Sequence, residues 1–313
     1  MEYRQLGKSG VKVSAIGLGT NRFGSEAVSQ QDVNNMIDAA LDLGINFIDT
    51  ADVYTGGQSE TTLGVALKGR WHKVVLATKV FHPIGEGPND RGASRYHIQN
   101  GVEASLARLQ SDHIDLYYLH RWDDNTPIEE SLRALDDLVR SGKVRYVGAS
   151  NYASWQMAKA NLLSEFRGLT AFSALQSHYH LLERGVEQEI LPYCAAHGVG
   201  FVPYFPLAGG FLTGKYRRGQ PAPAGSRGER SAYVKGYMTE ANYALIERLE
   251  AWSIERGHSL ADLAEAWLLF RPAVCSVISG ATRLEQIQAN VRGAEWKLSA
   301  EDLDEIQSML GKG

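Results

Sequence analysis

The chain has 313 residues, 44% of them apolar and 22% charged, a balance that excludes a disordered or fibrous protein. Its formal charge of −4, with no block of Lys and Arg, argues against nucleic acid as a partner and leaves a small neutral substrate or a locally caged anion. Two cysteines, a polar N-terminus and no apolar run near the roughly 18 residues of a membrane span argue against a disulfide framework, a signal peptide and a membrane partner, and predict a cytoplasmic protein.

The opening YRQLGKSGVKVSAIG reads as a β-hairpin turning at LGKSG, placed to plug one end of a larger body. After it, short β-branched runs alternate with longer stretches of helical period. Strands are expected at 14–19, 46–50, 74–80, 114–120, 144–150, 171–177, 200–206 and 275–280. Helices are expected at 29–43, 59–68, 96–109, 128–141, 153–164, 186–197, 240–256 with 259–270, and 284–291. Eight strands, each followed by a helix, predict a single α/β domain over 1–313, a (β/α)8 TIM barrel with an N-terminal β-hairpin. A further helix at 299–310 is announced by the capping sequence Ser299-Ala300-Glu301-Asp302. The competing doubly wound sheet would carry G-x-G-x-x-G after its first strand; GLGTNRFG at 17–24 has the wrong spacing. The longest irregular stretch, 216–236, is rich in Gly, Pro and Arg, and a loop of that length is expected to be functional.

Barrel sites lie at the C-terminal ends of the strands. There the expected strands present Asp49 with Tyr54 just beyond, Lys79, His120, Ser150 with Asn151, Gln176, and Tyr204 to Leu207. Singly, each has a plain reading: Asp49 or Ser150-Asn151 as caps, Tyr54 as packing, His120 as a satisfied core histidine. Lys79 is different, because a lysine in an apolar central strand needs an anion, and Asp49 on the adjacent strand supplies it. A cation beside Tyr54 favours the phenolate and makes the phenol a better proton donor, while His120 is placed to orient a carbonyl oxygen.

The segments LGTNRFG, NFIDTADVY, TKV, YYLH, GASN, LQSHY, PYFPLAGGFLTGKY and ISGATRLEQIQAN resemble the aldo-keto reductase superfamily over nearly the whole chain, closest to the bacterial branches related to potassium-channel β-subunits. The resemblance implies an NAD(P)H-dependent oxidoreductase acting on a small aldehyde or ketone, with Tyr54 as general acid and Asp49, Lys79 and His120 as its partners. It also implies NADPH, preferred over NADH, extended across the barrel mouth. Gly19, Thr20 and Asn21 would approach the nicotinamide side with Asp49, while Ser150, Asn151 and Gln176 would bind its carboxamide. Tyr204, followed by Phe205 and Pro206, would stack on the ring. Leu207, Gly209 and Gly210 would pass beneath the pyrophosphate, closed over by Lys215 and Arg227. Gly280, Thr282, Arg283, Gln286 and Asn290 would take the adenosine end, where Arg283 can pair with a 2′-phosphate. The family usually carries a glutamate before that asparagine; here it is Ala289, so weaker or solvated adenosine contacts are expected. Substrate-pocket candidates are Asn21, Phe23, Tyr54, Phe81, Arg121, Trp122 and Tyr179, shaped by the loop 81–94.

Three other readings compete. GGFLTGKY at 209–216 nearly matches a P-loop but ends in Tyr216, which cannot hold magnesium as Ser or Thr does. His178 and His180 share a strand face, yet no acid or cysteine with metal-ligand spacing joins them, so no metal is expected. The channel-subunit resemblance also allows a cofactor-sensing regulatory binding protein with slow reductase activity. No motif bears on oligomeric state.

Overall fold

In the computed structural model, which describes residues 1–311, eight parallel strands close into a barrel. A two-stranded antiparallel hairpin precedes it, β1 (Tyr3–Gln5) and β2 (Lys12–Ser14). The barrel comprises β3 (Ile16–Gly19), β4 (Phe47–Asp49), β5 (Val75–Val80), β6 (Ile114–Leu119), β7 (Val144–Ser150), β8 (Ala174–His178), β9 (Gly200–Tyr204) and β10 (Val277–Gly280). They run in chain order around the ring, and β10 closes it by pairing with both β9 and β3.

Six helices follow β3 to β8 in turn: α1 (Gln30–Asp42), α2 (Gln58–Ala66), α3 (Arg95–Leu109), α4 (Ile128–Arg140), α5 (Ser154–Arg167) and α6 (Ile190–His197). The segment after β9 forms α7 (Arg227–Arg230), α8 (Ala232–Lys235), α9 (Glu240–Glu255) and α10 (Leu260–Leu269); β10 is followed by α11 (Leu284–Glu295) and α12 (Ala300–Leu310). Among the described residues no helix is long and apolar enough to cross a membrane.

Every residue of β5 and β6 is buried, as expected where helices cover one face of a strand and the barrel interior the other. The period of two then sorts the side chains. Phe47, Val75, Ala77, Leu116, Tyr118, Ala174 and Val202 fill the interior, while Leu76, Val80, Leu119 and Leu175 pack outward against the helices. Gly148 on β7 leaves room for the Tyr118 ring, which a Cβ there would meet at 2.6 Å. The same parity carries Asp49, Lys79, His120, Gln176 and Tyr204 inward at the C-terminal ends.

The hairpin closes the opposite end. Leu6 and Val13, both fully buried, join the interior cluster beneath Phe47, Val75 and Val202. The expected first strand is divided at Ala15, with Ser14 in the hairpin and Ile16 opening the barrel.

Several segments differ from the sequence reading. The strand expected at 171–177 begins only at Ala174 and runs to His178. The helix expected at 186–197 breaks into a 3₁₀ turn, Gly185–Glu187, and α6, because a continuous helix would place Pro192 in its interior without an N–H and against the carbonyl of Gln188. The irregular stretch 216–236 contains α7 and α8, held by the buried hydrogen bond from Gly228 N to the Tyr216 hydroxyl at 2.9 Å.

Candidate active site

Lys79 sits at the centre of the mouth with its side chain fully buried. Its ammonium donates to Asp49 Oδ1 at 2.6 Å, to the Thr50 carbonyl at 2.7 Å and to the Tyr54 hydroxyl at 3.3 Å. The second oxygen of Asp49 accepts from Gln176 Nε2 at 2.8 Å, reaching across the barrel from β8. Asp49 is thus fixed from two sides, and the lysine beneath Tyr54 has three acceptors for its three protons.

Burial alone would push the Lys79 ammonium down; the Asp49 charge, the Tyr54 oxygen and their hydrogen bonds outweigh it, and the group stays above its ordinary value. The phenol departs from the sequence expectation. Burial raises it and the Asp49 charge adds to that, so the Lys79 charge only limits the rise, and Tyr54 stays above the usual phenol range. The lysine therefore does not produce a resting phenolate.

His120 follows β6 on the same inward face, its ring 6.2 Å from that of Tyr54 and nearly perpendicular to it. Burial, the Lys79 charge, His82 and Arg121 together depress His120 to about 2, so the imidazole is neutral across the physiological range. Its Nδ1 is buried without a partner. His82 packs edge-on against it at 4.7 Å and Phe81 edge-on against His82 at 5.6 Å, which brings the loop after β5 to the rim.

The groove beside this cluster is internally tied. Asn151, at φ 57, donates to the His120 carbonyl at 3.2 Å and to the Ser150 hydroxyl at 3.0 Å, and accepts from the Tyr204 hydroxyl at 2.9 Å. The Tyr204 ring is half-buried and parallel to His178 at 5.4 Å. Thr20 is buried; its N–H and hydroxyl both donate to the Asp49 carbonyl, so the Gly19-Thr20-Asn21 turn rests directly on the end of β4. After β9 and Pro206 the backbone turns tightly through Leu207, with Phe205, Ala208, Gly209 and Gly210 all at positive φ. A Cβ on Gly210 would come within 2.6 Å of Lys215 Nζ, so the ammonium lies over bare backbone. Arg227 packs its guanidinium 5.8 Å from the Phe205 ring, and burial and the nearby Arg22 charge hold it below its ordinary value.

Farther along the groove, Gly280 pairs with Gly19 at the end of β10, and a Cβ on it would meet the Gly19 carbonyl at 3.8 Å and Asn21 Oδ1 at 3.9 Å. Gln286 accepts from the Thr282 N–H at 2.8 Å and its hydroxyl at 3.2 Å, fixing the entry to α11. Arg283 is exposed at that helix start and Asn290 is buried two turns on.

Three pocket candidates lie elsewhere. Tyr179 is fully buried with outward parity, against Phe201 and Trp267, and its hydroxyl donates to Glu187 at 2.7 Å. Phe23 is fully buried in the outer core beneath its loop. Trp122 turns from the mouth to pack edge-on against Tyr152 and Trp155. Arg121 and Asn21 remain exposed at the strand ends. The sequence reading missed His82, Arg22 and the Gln176 to Asp49 bond. The two side chains come from loops with no periodicity, and the bond joins strands four places apart in a ring whose closure no local pattern specifies.

A second buried group flanks Tyr54. Asp52 has both carboxyl oxygens buried without partners, and burial and the neighbouring Glu60 charge push it up to about 7. Glu60 itself accepts from Thr78 at 2.5 Å and from Arg108 at 2.7 Å.

With this geometry in place, comparison with known proteins adds the family. The profile of the aldo/keto reductase family matches residues 15–310. An uncharacterised oxidoreductase, YrpG, of Bacillus subtilis is 39% identical, covering 97% of this chain and 94% of its own. A protein of Arabidopsis thaliana named "Probable voltage-gated potassium channel subunit beta" is 38% identical, over 94% of this chain and 92% of its own. The versiconal hemiacetal acetate reductase of Aspergillus parasiticus is 32% identical, over 98% and 96%. Barrel, family profile and sequence relatives agree, and the chain belongs to the aldo/keto reductase family.

Proposed function

We propose that this chain reduces an aldehyde or ketone with NADPH, Tyr54 supplying the proton. One observation carries the reading: a fully buried lysine held between Asp49 and the hydroxyl of Tyr54 at the barrel mouth. Such an arrangement has little structural benefit, since a buried ion pair rarely stabilises a fold over apolar packing.

The residues around the mouth fit the cofactor. Lys215 over the bare backbone of Gly210, with Arg227 beside Arg22, forms a cationic cradle suited to phosphates. Gly19, Thr20, Asn21, Ser150, Asn151, Gln176 and Tyr204 would hold the nicotinamide end. Phe205, Pro206, Leu207 and Gly209 would complete the floor, and Gly280, Thr282, Arg283, Gln286 and Asn290 would hold the adenosine end. When bound, NADPH supplies the hydride to the carbonyl carbon.

The protein does the rest. Neutral His120 orients the carbonyl oxygen toward the Tyr54 hydroxyl. The hydroxyl gives its proton to that oxygen as negative charge develops there, and the Lys79 ammonium stabilises the phenolate left behind. Asp49, fixed by Gln176, keeps the ammonium in place. The phenolate then recovers a proton from solvent at the open mouth. A panel of aldehydes and ketones, keto-sugars included, offered with NADPH and NADH in parallel tests the reading; carbonyl-dependent oxidation faster with NADPH supports it, and oxidation of neither nucleotide by any carbonyl contradicts it.

A second reading is favoured by the relatives named as channel β-subunits: slow chemistry serving a cofactor-sensing role. Single-turnover oxidation of bound NADPH that is rapid, followed by very slow release, would support it.

A further inference from the structure

The arginines of this chain fall into two groups. Most meet carboxylates, as in Arg4 with Glu2, Arg133 with Glu129, Arg217 with Glu250 and Arg256 with Glu305. The rest meet none among the described residues: Arg248 and Arg292 on outer helices, and Arg22, Arg91, Arg121, Arg227 and Arg283 beyond C-terminal strand ends. The Arg22 charge reaches Arg227, and both belong to the phosphate cradle proposed above.

Arg121 stands apart from that pair. It follows His120 at the end of β6, three strands around the ring from Arg22, which follows β3. Its charge bears on His82, His120 and the Tyr204 phenol, so it looks over the reaction centre rather than the cradle. Those three groups and Lys79 are neutral or cationic. The carboxylates nearest in the chain are committed elsewhere: Asp123 accepts from Ala93 N at 2.8 Å, Thr126 Oγ1 at 2.8 Å and Asn125 N at 3.0 Å, and Asp124 accepts from Trp122 Nε1 at 2.9 Å. An exposed guanidinium whose charge reaches two neutral imidazoles and a phenol, and which meets no carboxylate among the described residues, is free to receive an anion.

We propose that Arg121 is the anion receptor of the substrate pocket, and that the substrates are carbonyl compounds carrying a carboxylate or phosphate. The proposal rests on the reductase reading and adds the substrate class to it. Consecutive residues then hold the two ends of one molecule. His120 takes the carbonyl oxygen and Arg121 the anionic group, with the planar guanidinium able to bind either anion through two parallel hydrogen bonds.

Two matched pairs test it with the NADPH-loaded enzyme: para-formylbenzoate against its methyl ester, and glyceraldehyde phosphate against glyceraldehyde. The charged member of at least one pair is expected to show kcat/KM at least tenfold higher, with the advantage shrinking as salt rises. The discriminating pair identifies the anion as carboxylate or phosphate. In Arg121→Gln the ratio within that pair should fall at least tenfold, through KM; Arg121→Lys should keep part of it. Arg248→Gln, removing an arginine of α9 remote from the mouth, should keep the wild-type ratio. Equal use of both members in both pairs, or a ratio that survives Arg121→Gln, overturns the anion receptor while leaving the reductase standing. Oxidation of NADPH by none of the four aldehydes would take the reductase reading down with it.

Discussion

At Lys79 the cost of burying an ammonium is set against one carboxylate, one carbonyl and one phenol. Removing the cation leaves Asp49 buried with only Gln176 as partner, so Lys79→Met should lower stability by about 3–5 kcal/mol in urea unfolding. It should also cut kcat by roughly a hundredfold or more, since the phenolate loses its stabiliser. A stable and active Lys79→Met would show the ion pair to be incidental. His120 carries a pH prediction. Depressed to about 2, it does not titrate between pH 5 and 9, and Tyr54, raised above the ordinary phenol value, stays protonated there. The kcat for reduction should therefore be flat over that range, and a limb near pH 6 to 7 that vanishes in His120→Gln would contradict the neutral imidazole. The lysine was readable from sequence because a charge in an apolar strand demands an explanation. The brake on the phenol's ionisation was not, because burial of a loop tyrosine depends on what packs over it.

Between β4 and α2 the chain makes the turn that delivers Tyr54. Thr55, Gly56 and Gly57 all have positive φ, and the Thr55 hydroxyl ties the turn to the Phe23 carbonyl at 2.6 Å. Asp52, beneath it, is the weak point. Its folded value of about 7 exceeds the ordinary 3.8, so the protonated carboxyl contributes stability that is full below about pH 4 and lost as pH rises through about 7. Asp52→Asn should raise the melting temperature by several degrees at pH 8.5 relative to wild type, with the gain fading by pH 5; an equal effect at both pH values would mean that Asp52 is not the titrating group. The strap after β9 gives a second test. Tyr216→Phe leaves the buried Gly228 N–H without an acceptor, a loss of about 1–3 kcal/mol, and should speed proteolysis within 217–236 several-fold. Helix α12 was readable because Ser299 with Asp302 spells a capping box, and α1 because its apolar residues recur with helical period. The two four-residue helices of the strap were not, since they are too short for periodicity and rest on tertiary contacts.

Across the whole molecule, the two ends of the barrel divide stability from chemistry. Leu6 closes the bottom, in the hairpin at the end opposite the mouth, so Leu6→Ala should cost about 2–5 kcal/mol of stability while kcat/KM stays within about twofold of wild type. A large activity loss at unchanged fold would show the ends to be coupled. The barrel itself was legible because eight apolar runs alternate with helical stretches, and the strand-end position of Asp49, Lys79 and His120 followed from it. What the pattern could not supply was the direction of residues past a strand end: Tyr179, one step beyond β8, turns outward by parity, and Trp122, three steps beyond β6, by local packing, where the sequence reading had them facing the substrate. The central claim is that Tyr54 gives the proton, and it is tested most directly by single-turnover oxidation of bound NADPH by an aldehyde in Tyr54→Phe. The predicted rate is lower by at least about a thousandfold, with NADPH still quenching the protein's fluorescence as in wild type. An undiminished rate would contradict the claim.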